Sequence, residues 1–387
     1  MEFNKEITDS VIYIGADDKN LDLFENQYIV PEGMAYNSYI IKDEKIVVMD
    51  TIDERKTEEW MSNLEKELQG KKPDYLVISH LEPDHSGSIE ILVKKYPKIK
   101  LVGNAQTFSM LPQFYDIDLL EERKLEVKEG QTLKIGKHTL QFFMAPMVHW
   151  PEVMVTYEKT QKILFTADGF GKFGALDSKE DWTDEARRYY FNIVGKYGMQ
   201  VQMLLKKIVN LEVKKICPLH GPILKENLEY YIGKYDTWSS YTPEDSGILI
   251  ACASIHGNTL KAAYKMAQIL KQKGIENVII SDLTRENISN VIEKAFRYDR
   301  LILMAASYNT KVFSPMHNLL NQLEERNYQN RKIAIIENGS WAPSAGKIMK
   351  ETTDRMKNIT IIEPQITIKS KMNKENLKQM ENLAENL

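Results

Sequence analysis

The sequence predicts a two-domain protein, in which an α+β domain precedes a doubly wound α/β domain with a five-stranded parallel sheet. The length of 387 residues exceeds the roughly 150 residues of a typical single domain. Apolar runs alternate with helix-like segments throughout the second half, whereas the first half has short apolar runs in groups. The segment before residue 246 is polar and contains Pro243, so we expect domains at residues 1–245 and 246–387.

Composition and charge narrow the class of protein. A hydrophobic fraction of 43% and a charged fraction of 27% are typical of a globular chain. The net charge of −4, without a long basic run, argues against a nucleic-acid partner. No apolar run approaches the roughly 18 to 20 residues of a membrane span, and the first ten residues do not resemble a secretion signal. We therefore expect a cytoplasmic protein without a membrane partner.

The two cysteines exclude several kinds of site. Cys217 and Cys252 both lie in apolar surroundings and form no C-x-x-C pair. Four-cysteine zinc or iron sites and a disulfide framework therefore cannot be built from these residues. Both thiols are expected in the core.

The elements of the second half follow from its periodicity. Strands are expected at the apolar, β-branched runs 248–254, 278–282, 301–306, 333–337 and 359–368. Helices are expected at 259–273, 288–296, 315–325, 346–357 and 373–387. Continuous apolar strands joined by helices are typical of a parallel sheet that is covered on both faces.

The elements of the first half are shorter. Strands are expected at 38–41, 46–50, 75–79, 140–144, 153–157 and 163–167, and helices at 57–68 and 186–208. Several of these strands are close enough along the chain to pair as hairpins. The sheet of this half is therefore expected to be mixed.

A cluster of possible metal ligands follows the strand that ends at Ser79. His80, Glu82, Asp84 and His85 lie within six residues. Alternation along an extended segment would turn the first three toward one side, Pro83 would keep the preceding residue extended, and a following turn would bring in His85. Burying so many titratable groups together is costly unless a cation neutralises them.

Three further candidate ligands follow strands in the same half, namely His149, Asp168 and His220. The seven side chains are too many for one ion but suit two ions that share a carboxylate. Taken singly, a histidine after a strand is usually a hydrogen-bonded polar residue, and the acidic segment could be an exposed loop. Their joint occurrence favours metal. His138 is expected in an exposed hairpin and His317 on a helix surface.

A candidate anion site follows the first strand of the second half. A short loop leads into a helix there, and it consists of Ser254, Ile255, His256, Gly257, Asn258 and Thr259. Backbone N–H groups, hydroxyls and the positive end of the helix dipole would bind an anion. The loop matches neither G-x-G-x-x-G nor G-x-x-x-x-G-K-[ST], and it is similar to the flavodoxin pattern [ST]-x-x-G-N-T, which binds the phosphate of FMN. A capped helix after a strand is the plainer alternative.

Flavin ring contacts are expected after the third and fourth strands, at the switch point of such a sheet. The candidates are Ser307, Tyr308 and Asn309 after one strand, and Gly339, Ser340 and Trp341 after the other. Tyr308 and Trp341 could flank the ring, although Trp341 could equally be an exposed aromatic in a turn.

The motifs of both halves resemble known families. The first half is similar to the metallo-β-lactamase superfamily, in which H-x-H-x-D-H is followed by His, Asp and His, but Glu82 replaces the second histidine. A carboxylate in that place moves the preference from zinc toward iron. H-x-E-x-D-H joined to a flavodoxin-like domain resembles the flavodiiron proteins. The resemblance implies an αββα sandwich followed by a flavodoxin-like domain. Ala306 and Ser307 stand where that family often has Pro-Thr.

The resemblance also implies the ligand sets and the function. His80, Glu82, His149 and Asp168 would bind one of two iron ions, and Asp84, His85, Asp168 and His220 the other, with Asp168 bridging. Together with FMN, the irons would reduce dioxygen to water, nitric oxide to nitrous oxide, or both. A head-to-tail homodimer or a tetramer would bring flavin and iron together, and a separate donor would supply electrons, either rubredoxin or the reduced deazaflavin F420H2.

Two alternatives come from other classes. One is a zinc-dependent hydrolase of the metallo-β-lactamase type with a flavodoxin-like appendage, in which Asp84 orients a zinc-bound hydroxide. The other is an electron carrier whose first half is purely structural. Glu82 argues against the hydrolase, and metal analysis would distinguish the hydrolase from a flavodiiron protein, since zinc would favour hydrolysis. The electron carrier predicts that Glu82→Ala leaves electron transfer to dioxygen unchanged.

Overall fold

The computed structural model describes residues 5–117 and 121–387. Internal contacts divide the chain into two compact units. The first contains Met1–Tyr190 and Met199–Asp236, and the second contains Phe191–Gly198 and Thr237–Leu387. The domain boundary expected at residue 246 stays a prediction.

The first unit contains two main sheets and two short ladders. Its strands are β1 Val11–Tyr13, β2 Ala16–Asp18, β3 Leu23–Phe24, β4 Tyr28–Ile29, β5 Met34–Tyr36, β6 Tyr39–Ile41, β7 Val47–Met49, β8 Tyr75–Val77, β9 Lys100–Gly103, β10 Lys124–Glu126, β11 Thr132–Lys134, β12 Thr139–Met144, β13 Met154–Glu158, β14 Ile163–Phe165 and β15 Lys215–Cys217. One sheet has the order β1-β6-β7-β8-β9-β10 and the other β11-β12-β13-β14-β15, while β2 pairs with β5 and β3 with β4. Both main sheets combine parallel and antiparallel pairs, as the sequence predicts.

The core of this unit lies between the two main sheets. Tyr39 and Val77 of the first sheet and Phe142, Phe165 and Cys217 of the second belong to one buried cluster. Alternating side chains of short strands provide these apolar faces, and their burial is the main favourable contribution to folding. The two-sheet core confirms the sandwich that the family resemblance implies.

Further helices lie wholly or mainly in the first unit. They are α1 Thr57–Leu68, α2 Pro83–Ser86, α3 Ile89–Lys95, α4 Ala105–Met110, α5 Trp182–Tyr189, α6 Gly198–Ile208 and α7 Leu228–Ser239, with 3₁₀ turns at Glu54–Lys56, Leu111–Gln113 and Glu121–Arg123. The apolar face of α1 is buried through Trp60 and Leu64. The spacing of four residues between them places both on one face.

The prediction of a single helix at 186–208 is wrong. After α5 the chain forms a π-helical turn at Tyr190–Val194 and a 3₁₀ turn at Gly195–Tyr197 before α6 begins. The hydroxyl of Tyr241 donates a hydrogen bond to the Gly195 carbonyl oxygen at 2.8 Å and accepts one from the Gly198 N–H at 3.2 Å. A side chain inserted between successive turns interrupts the helical hydrogen-bond ladder.

The second unit contains a five-stranded parallel sheet with helices on both faces. Its strands are β16 Asp245–Ala253, β17 Val278–Asp282, β18 Tyr298–Tyr308, β19 Lys311–Val312, β20 Arg331–Asn338 and β21 Ile359–Ile368. Its helices are α8 Asn258–Gln272, α9 Ile288–Arg297, α10 Ser314–Glu325, α11 Ala345–Thr353 and α12 Lys374–Asn386. The parallel strands have the order β17-β16-β18-β20-β21, and β19 adds a short antiparallel pair to β18.

The core of the second unit confirms its predicted doubly wound arrangement. Met266 of α8 and Leu383 of α12 are buried in one cluster with Ile250 and Ile336 of the sheet. Helices α9, α10 and α11 contact one another in sequence and contribute further buried apolar residues. Strands β16, β18 and β20 therefore end together at one edge, where the loops of the second candidate site begin.

The helices of the described residues do not meet the requirements for crossing a membrane, because none is both long enough and apolar enough.

Candidate metal centre and flavin site

The seven predicted metal ligands all lie in the first unit and form two adjoining groups. Each of the segments that carry them follows a strand. His80 comes shortly after β8, His149 after β12, Asp168 after β14 and His220 after β15. Strands from both facing sheets thus direct their following loops to one end of the sandwich.

The first group consists of His80, Glu82, His149 and Asp168. Nε2 of His149 lies 3.0 Å from Oε2 of Glu82 and 3.1 Å from Oδ2 of Asp168. Nε2 of His80 lies 3.2 Å and 3.5 Å from the same two oxygens. Two imidazole nitrogens and two carboxylate oxygens therefore face a common point.

The second group consists of Asp84, His85 and His220. The Nε2 atoms of the two histidines are 3.0 Å apart, and each lies 3.2 Å from Oδ2 of Asp84. Oδ1 of Asp168 is 3.1 Å from Nε2 of His85. The two oxygens of Asp168 therefore face different groups, which is the arrangement that a bridging carboxylate requires.

The side chains of these groups fit a pair of metal ions. Both carboxylate oxygens of Asp84 and of Asp168 are buried and, within the described part of the chain, accept no well-directed hydrogen bond. Buried polar atoms without partners are costly, so the arrangement requires a further partner. Four imidazoles and three carboxylates suit two divalent ions of intermediate hardness, such as ferrous iron.

The electrostatics of the groups point the same way. Burial alone would lower the pKa of His149, but the carboxylates of Asp168 and Glu82 raise it to about 9. The pKa of His80 is likewise raised well above its usual value, against the effect of burial, by Asp168, Glu152 and Glu82. The carboxylates thus favour positive charge at this place, and bound divalent cations would supply it.

One expectation about the ligand segment is corrected. Glu82 is extended, with φ −56° and ψ 138°, as the following proline predicts. Alternation then ends, because Pro83–Ser86 forms the short helix α2. Asp84 consequently joins the second group with His85, rather than the side shared by His80 and Glu82.

Two buried carboxylates beside the ligands were not found from the sequence. Oδ1 of Asp50 accepts a hydrogen bond from the Ser79 N–H at 2.6 Å, which holds the strand end before His80. Burial raises the pKa of Asp50 to about 6, although hydrogen bonds from Ser79 oppose the shift. Oε1 of Glu152 lies 2.8 Å from Nδ1 of His80. The signal that could have found them is an acidic residue at or near a strand end among apolar neighbours.

A cavity of about 500 Å³ lies in the second unit, where β16, β18 and β20 end. The predicted flavin contacts that line it are Ser254, Ile255, His256, Asn258, Thr259, Ser307, Tyr308, Asn309, Gly339, Ser340 and Trp341. Gly257 is not part of the lining, and it caps the first turn of α8. The volume falls in the range of sites for small-molecule cofactors.

The loop before α8 has the form of an anion cradle. Oγ of Ser254 accepts a hydrogen bond from the Gly257 N–H at 3.1 Å, and Gly257 has a φ of +84°. The first N–H groups of α8 have no acceptors within the helix, and the helix dipole adds positive charge there. The phosphate of FMN fits this cradle.

The aromatic residues at the cavity are accessible. Trp341 is 85% exposed and Tyr308 is 52% exposed, so both can contact a planar ring. Ser307 has a structural role. Its hydroxyl oxygen accepts hydrogen bonds from the N–H groups of Ser344 and Ala345, and these bonds hold the neighbouring loop. Ser344 and Ser370 also line the cavity and were not predicted, since nothing in their local sequence marks them.

Comparison with known families supports the description of the first unit. The family described as "ODP family beta lactamase" matches residues 34–221. This range contains all seven candidate ligands. A protein of Moorella thermoacetica named nitric oxide reductase is 28% identical over 372 residues, which cover 94% of this chain and 92% of the relative.

Solved structures with the same fold cover nearly the whole chain. The rubredoxin:oxygen oxidoreductase of Desulfovibrio gigas has a TM-score of 0.92 at 24% identity and covers 98% of this chain and 96% of its own. The flavodiiron protein of Giardia intestinalis has a TM-score of 0.90 at 24% identity and covers 99% and 95%. At this identity the likeness establishes the fold of both units.

Proposed function

We propose that the chain is a flavodiiron oxidoreductase that reduces dioxygen to water, nitric oxide to nitrous oxide, or both. The observation that carries the proposal is Asp168, whose two oxygens face two separate groups of ligands. The names of the relatives, nitric oxide reductase and rubredoxin:oxygen oxidoreductase, agree with this activity.

The proposal assigns two iron ions to the first unit and FMN to the second. His80, Glu82, His149 and Asp168 would bind one iron, and Asp84, His85, His220 and the other oxygen of Asp168 would bind the second. The loop from Ser254 to Thr259 would bind the flavin phosphate. Two ferrous ions and one reduced flavin supply the four electrons that convert dioxygen to two waters, and two of them suffice to convert two nitric oxide molecules to nitrous oxide and water.

In this mechanism the residues of the chain bind the metal ions and hold the ligand side chains in place. The seven ligands leave little room for bulk water, because His80, His85 and His220 are fully or almost fully buried. Asp50 and Glu152 hold the segments on which the ligands lie. The exclusion of bulk water strengthens the electrostatic interactions among these side chains.

Donor, assembly and location belong to the same proposal. The name of the Desulfovibrio gigas relative favours rubredoxin as the electron donor, and F420H2 is the alternative. The chain would act in the cytoplasm as a head-to-tail homodimer or a tetramer, in which the flavin of one subunit serves the irons of the next. The zinc hydrolase is not favoured, because Glu82 replaces an imidazole in its site and the relative that covers most of the chain is named as a reductase.

The experiment compares the native sequence with Asp168→Asn after loading with ferrous iron and FMN. The native protein is expected to contain two irons per chain and, once reduced without oxygen, to consume dioxygen or to form nitrous oxide from nitric oxide. Asp168→Asn is expected to bind at least one iron fewer per chain, because the charge shared by both ions is removed. Its rates of oxygen consumption and of nitrous oxide formation are expected to fall by about 100-fold or more. Iron analysis, an oxygen electrode and gas chromatography measure these outcomes.

The result that contradicts the proposal is equally direct. A native protein that retains zinc in preference to iron and hydrolyses esters or lactams would be a hydrolase. Full rates from Asp168→Asn with both gases would remove the bridging assignment.

A further inference from the structure

Glu152 contacts the metal site from behind a ligand. Its side chain is fully buried, and Oε1 lies 2.8 Å from Nδ1 of His80 and accepts the N–H of Leu81 at 2.8 Å. The carbonyl oxygen of Glu152 accepts a hydrogen bond from Nδ2 of Asn104 at 2.7 Å. The carboxylate is therefore held at both its backbone and its side chain.

This contact decides which nitrogen of His80 carries the proton. A carboxylate accepts hydrogen bonds, so the N–H at Nδ1 of His80 donates a hydrogen bond to Oε1 of Glu152. Nε2 is then the nitrogen that a metal ion would engage, and it lies 3.2 Å from Oε2 of Glu82 and 3.5 Å from Oδ2 of Asp168. The rings of Trp150 and His80 pack edge to face with centroids 5.2 Å apart, which limits rotation of the imidazole.

The second ligand group has no equivalent carboxylate in the described part of the chain. Nδ1 of His220 donates to the neutral carbonyl oxygen of Ala35 at 2.8 Å. Nδ1 of His85 is buried and has no hydrogen-bond partner among the described residues. Asp50 interacts electrostatically with His85, but its Oδ1 accepts the backbone N–H groups of Ser79 and His80. Among the described ligand histidines, a carboxylate outside the ligand set is therefore hydrogen-bonded to the imidazole of His80, whereas His85 and His220 have no such bond.

We propose that Glu152 is a positioning residue that makes the His80 position the tighter of the two iron positions, an inference that rests on the proposed function. A carboxylate behind a ligating imidazole fixes its tautomer and makes it a stronger donor. The ligand sets are otherwise similar, since each position has two imidazoles, one carboxylate of its own and a share of Asp168. The charge of Glu152 therefore makes the affinity for iron higher at the position of His80 than at the other position.

The experiment uses the full chain with FMN and the variant Glu152→Gln, which keeps the size and one acceptor but removes the charge. Ferrous iron is titrated against a chelator, and one equivalent of iron-57 is added for Mössbauer spectroscopy. In the native protein, one equivalent is expected to fill mainly one of two iron signals. In Glu152→Gln, the tighter affinity is expected to fall about 10- to 100-fold, and the single equivalent is expected to divide between both signals.

A matched control is Glu158→Gln. Glu158 is equally buried, and its two oxygens accept the N–H groups of Thr160 at 2.8 Å and Gln161 at 2.6 Å in the β13–β14 hairpin. This variant loses a comparable buried charge without touching the ligands. Its iron isotherm and spectrum are expected to match those of the native protein, whatever its loss of thermal stability.

The outcomes separate the inference from the proposed function. Glu152→Gln with the native isotherm and the native filling order would overturn the inference alone, while two bound irons would still support the function. If Glu152→Gln lowered the iron affinity of both positions equally and reduced thermal stability as much as Glu158→Gln, Glu152 would be a purely structural residue. This result would also overturn the inference. A native protein without affinity for iron would overturn the proposed function itself.

Discussion

At the scale of single residues, the flavin site depends on the backbone of Gly257. Its φ of +84° lies in the left-handed region, and no residue beyond its neighbours along the chain lies within 4 Å of the position that a Cβ would occupy. A side chain there would meet no neighbour, so its cost would come from the backbone alone. This conformation directs the start of α8 toward the cradle that Ser254 closes.

Gly257→Ala is therefore expected to weaken FMN binding. An L-residue in this conformation costs about 1 kcal/mol, and relaxation of that strain would displace the N–H groups of the cradle. We expect a dissociation constant for FMN about 10-fold higher, measured by the quenching of flavin fluorescence on binding to the flavin-free protein.

Gly274→Ala is the matched control for this prediction. Gly274 has a φ of +85° and open space at its Cβ position, but it lies in the turn after α8, at the far end of the helix. The control is expected to lose similar stability and to bind FMN normally. Equal affinities in the two variants would mean that the backbone of Gly257 does not shape the cradle.

The comparison between sequence and structure is also clearest at single residues. The ligands could be predicted because four acids and imidazoles within six residues are chemically unusual. The burial of His138 could not be predicted. We expected an exposed hairpin residue, which is wrong, because His138 is only 7% exposed. Oδ2 of Asp43 accepts the backbone N–H of His138 at 2.8 Å and lies 2.7 Å from its Nδ1. A partner 95 residues away leaves no local sequence signal.

At the scale of elements, apolar periodicity predicts strands and helices whose pattern is local. The five parallel strands of the second unit could be predicted for this reason, because each contains an apolar, β-branched run. The interruption of the helix at Tyr190–Val194 could not be predicted, because the apolar periodicity of this segment remains compatible with a continuous helix. The hydroxyl that divides the helix belongs to Tyr241, 46 residues after Gly195.

The start of β20 provides a prediction at this scale, because Arg331 is a buried cation surrounded by backbone carbonyl oxygens. It is 2% exposed. The acceptors are the carbonyl oxygens of Tyr241 at 2.7 Å, Tyr298 at 2.8 Å, Gln329 at 2.9 Å, Asn330 at 3.3 Å and Phe296. The guanidinium thereby joins the end of α9 and the start of β18 to β20.

Arg331→Met is expected to lower the free energy of unfolding of the second unit by about 3 kcal/mol. The substitution leaves several buried carbonyl oxygens without a donor, and each such loss is unfavourable. Urea denaturation followed by circular dichroism measures the change. Lys332→Met, at the exposed next position of the same strand, is the control and is expected to change the value by less than about 0.5 kcal/mol. Equal effects would show that the carbonyl contacts contribute little.

At the scale of the whole molecule, each cofactor site belongs to one unit with its own core. The metal ligands lie in the unit whose core is between two sheets, and the flavin cavity lies in the unit with the parallel sheet. The sequence could predict this division because each motif follows a strand of its own half. It could not predict that residues 191–198 join the second unit, which depends on contacts distant in the chain.

This division predicts that each cofactor stabilises the unit that binds it. A ligand that binds only the folded state stabilises it by about 2.7 kcal/mol at 100 times its dissociation constant. Removal of FMN should therefore increase hydrogen exchange in β16 and β18, whereas chelation of iron should increase it in β12 and β13. Mass spectrometry of peptides from the two units measures both. Gly257→Ala at the same FMN concentration should reduce only the first effect. If removal of FMN alone loosened β12 and β13 as strongly as β16, the two units would unfold as one, and the local assignment of the two sites would lose its energetic support.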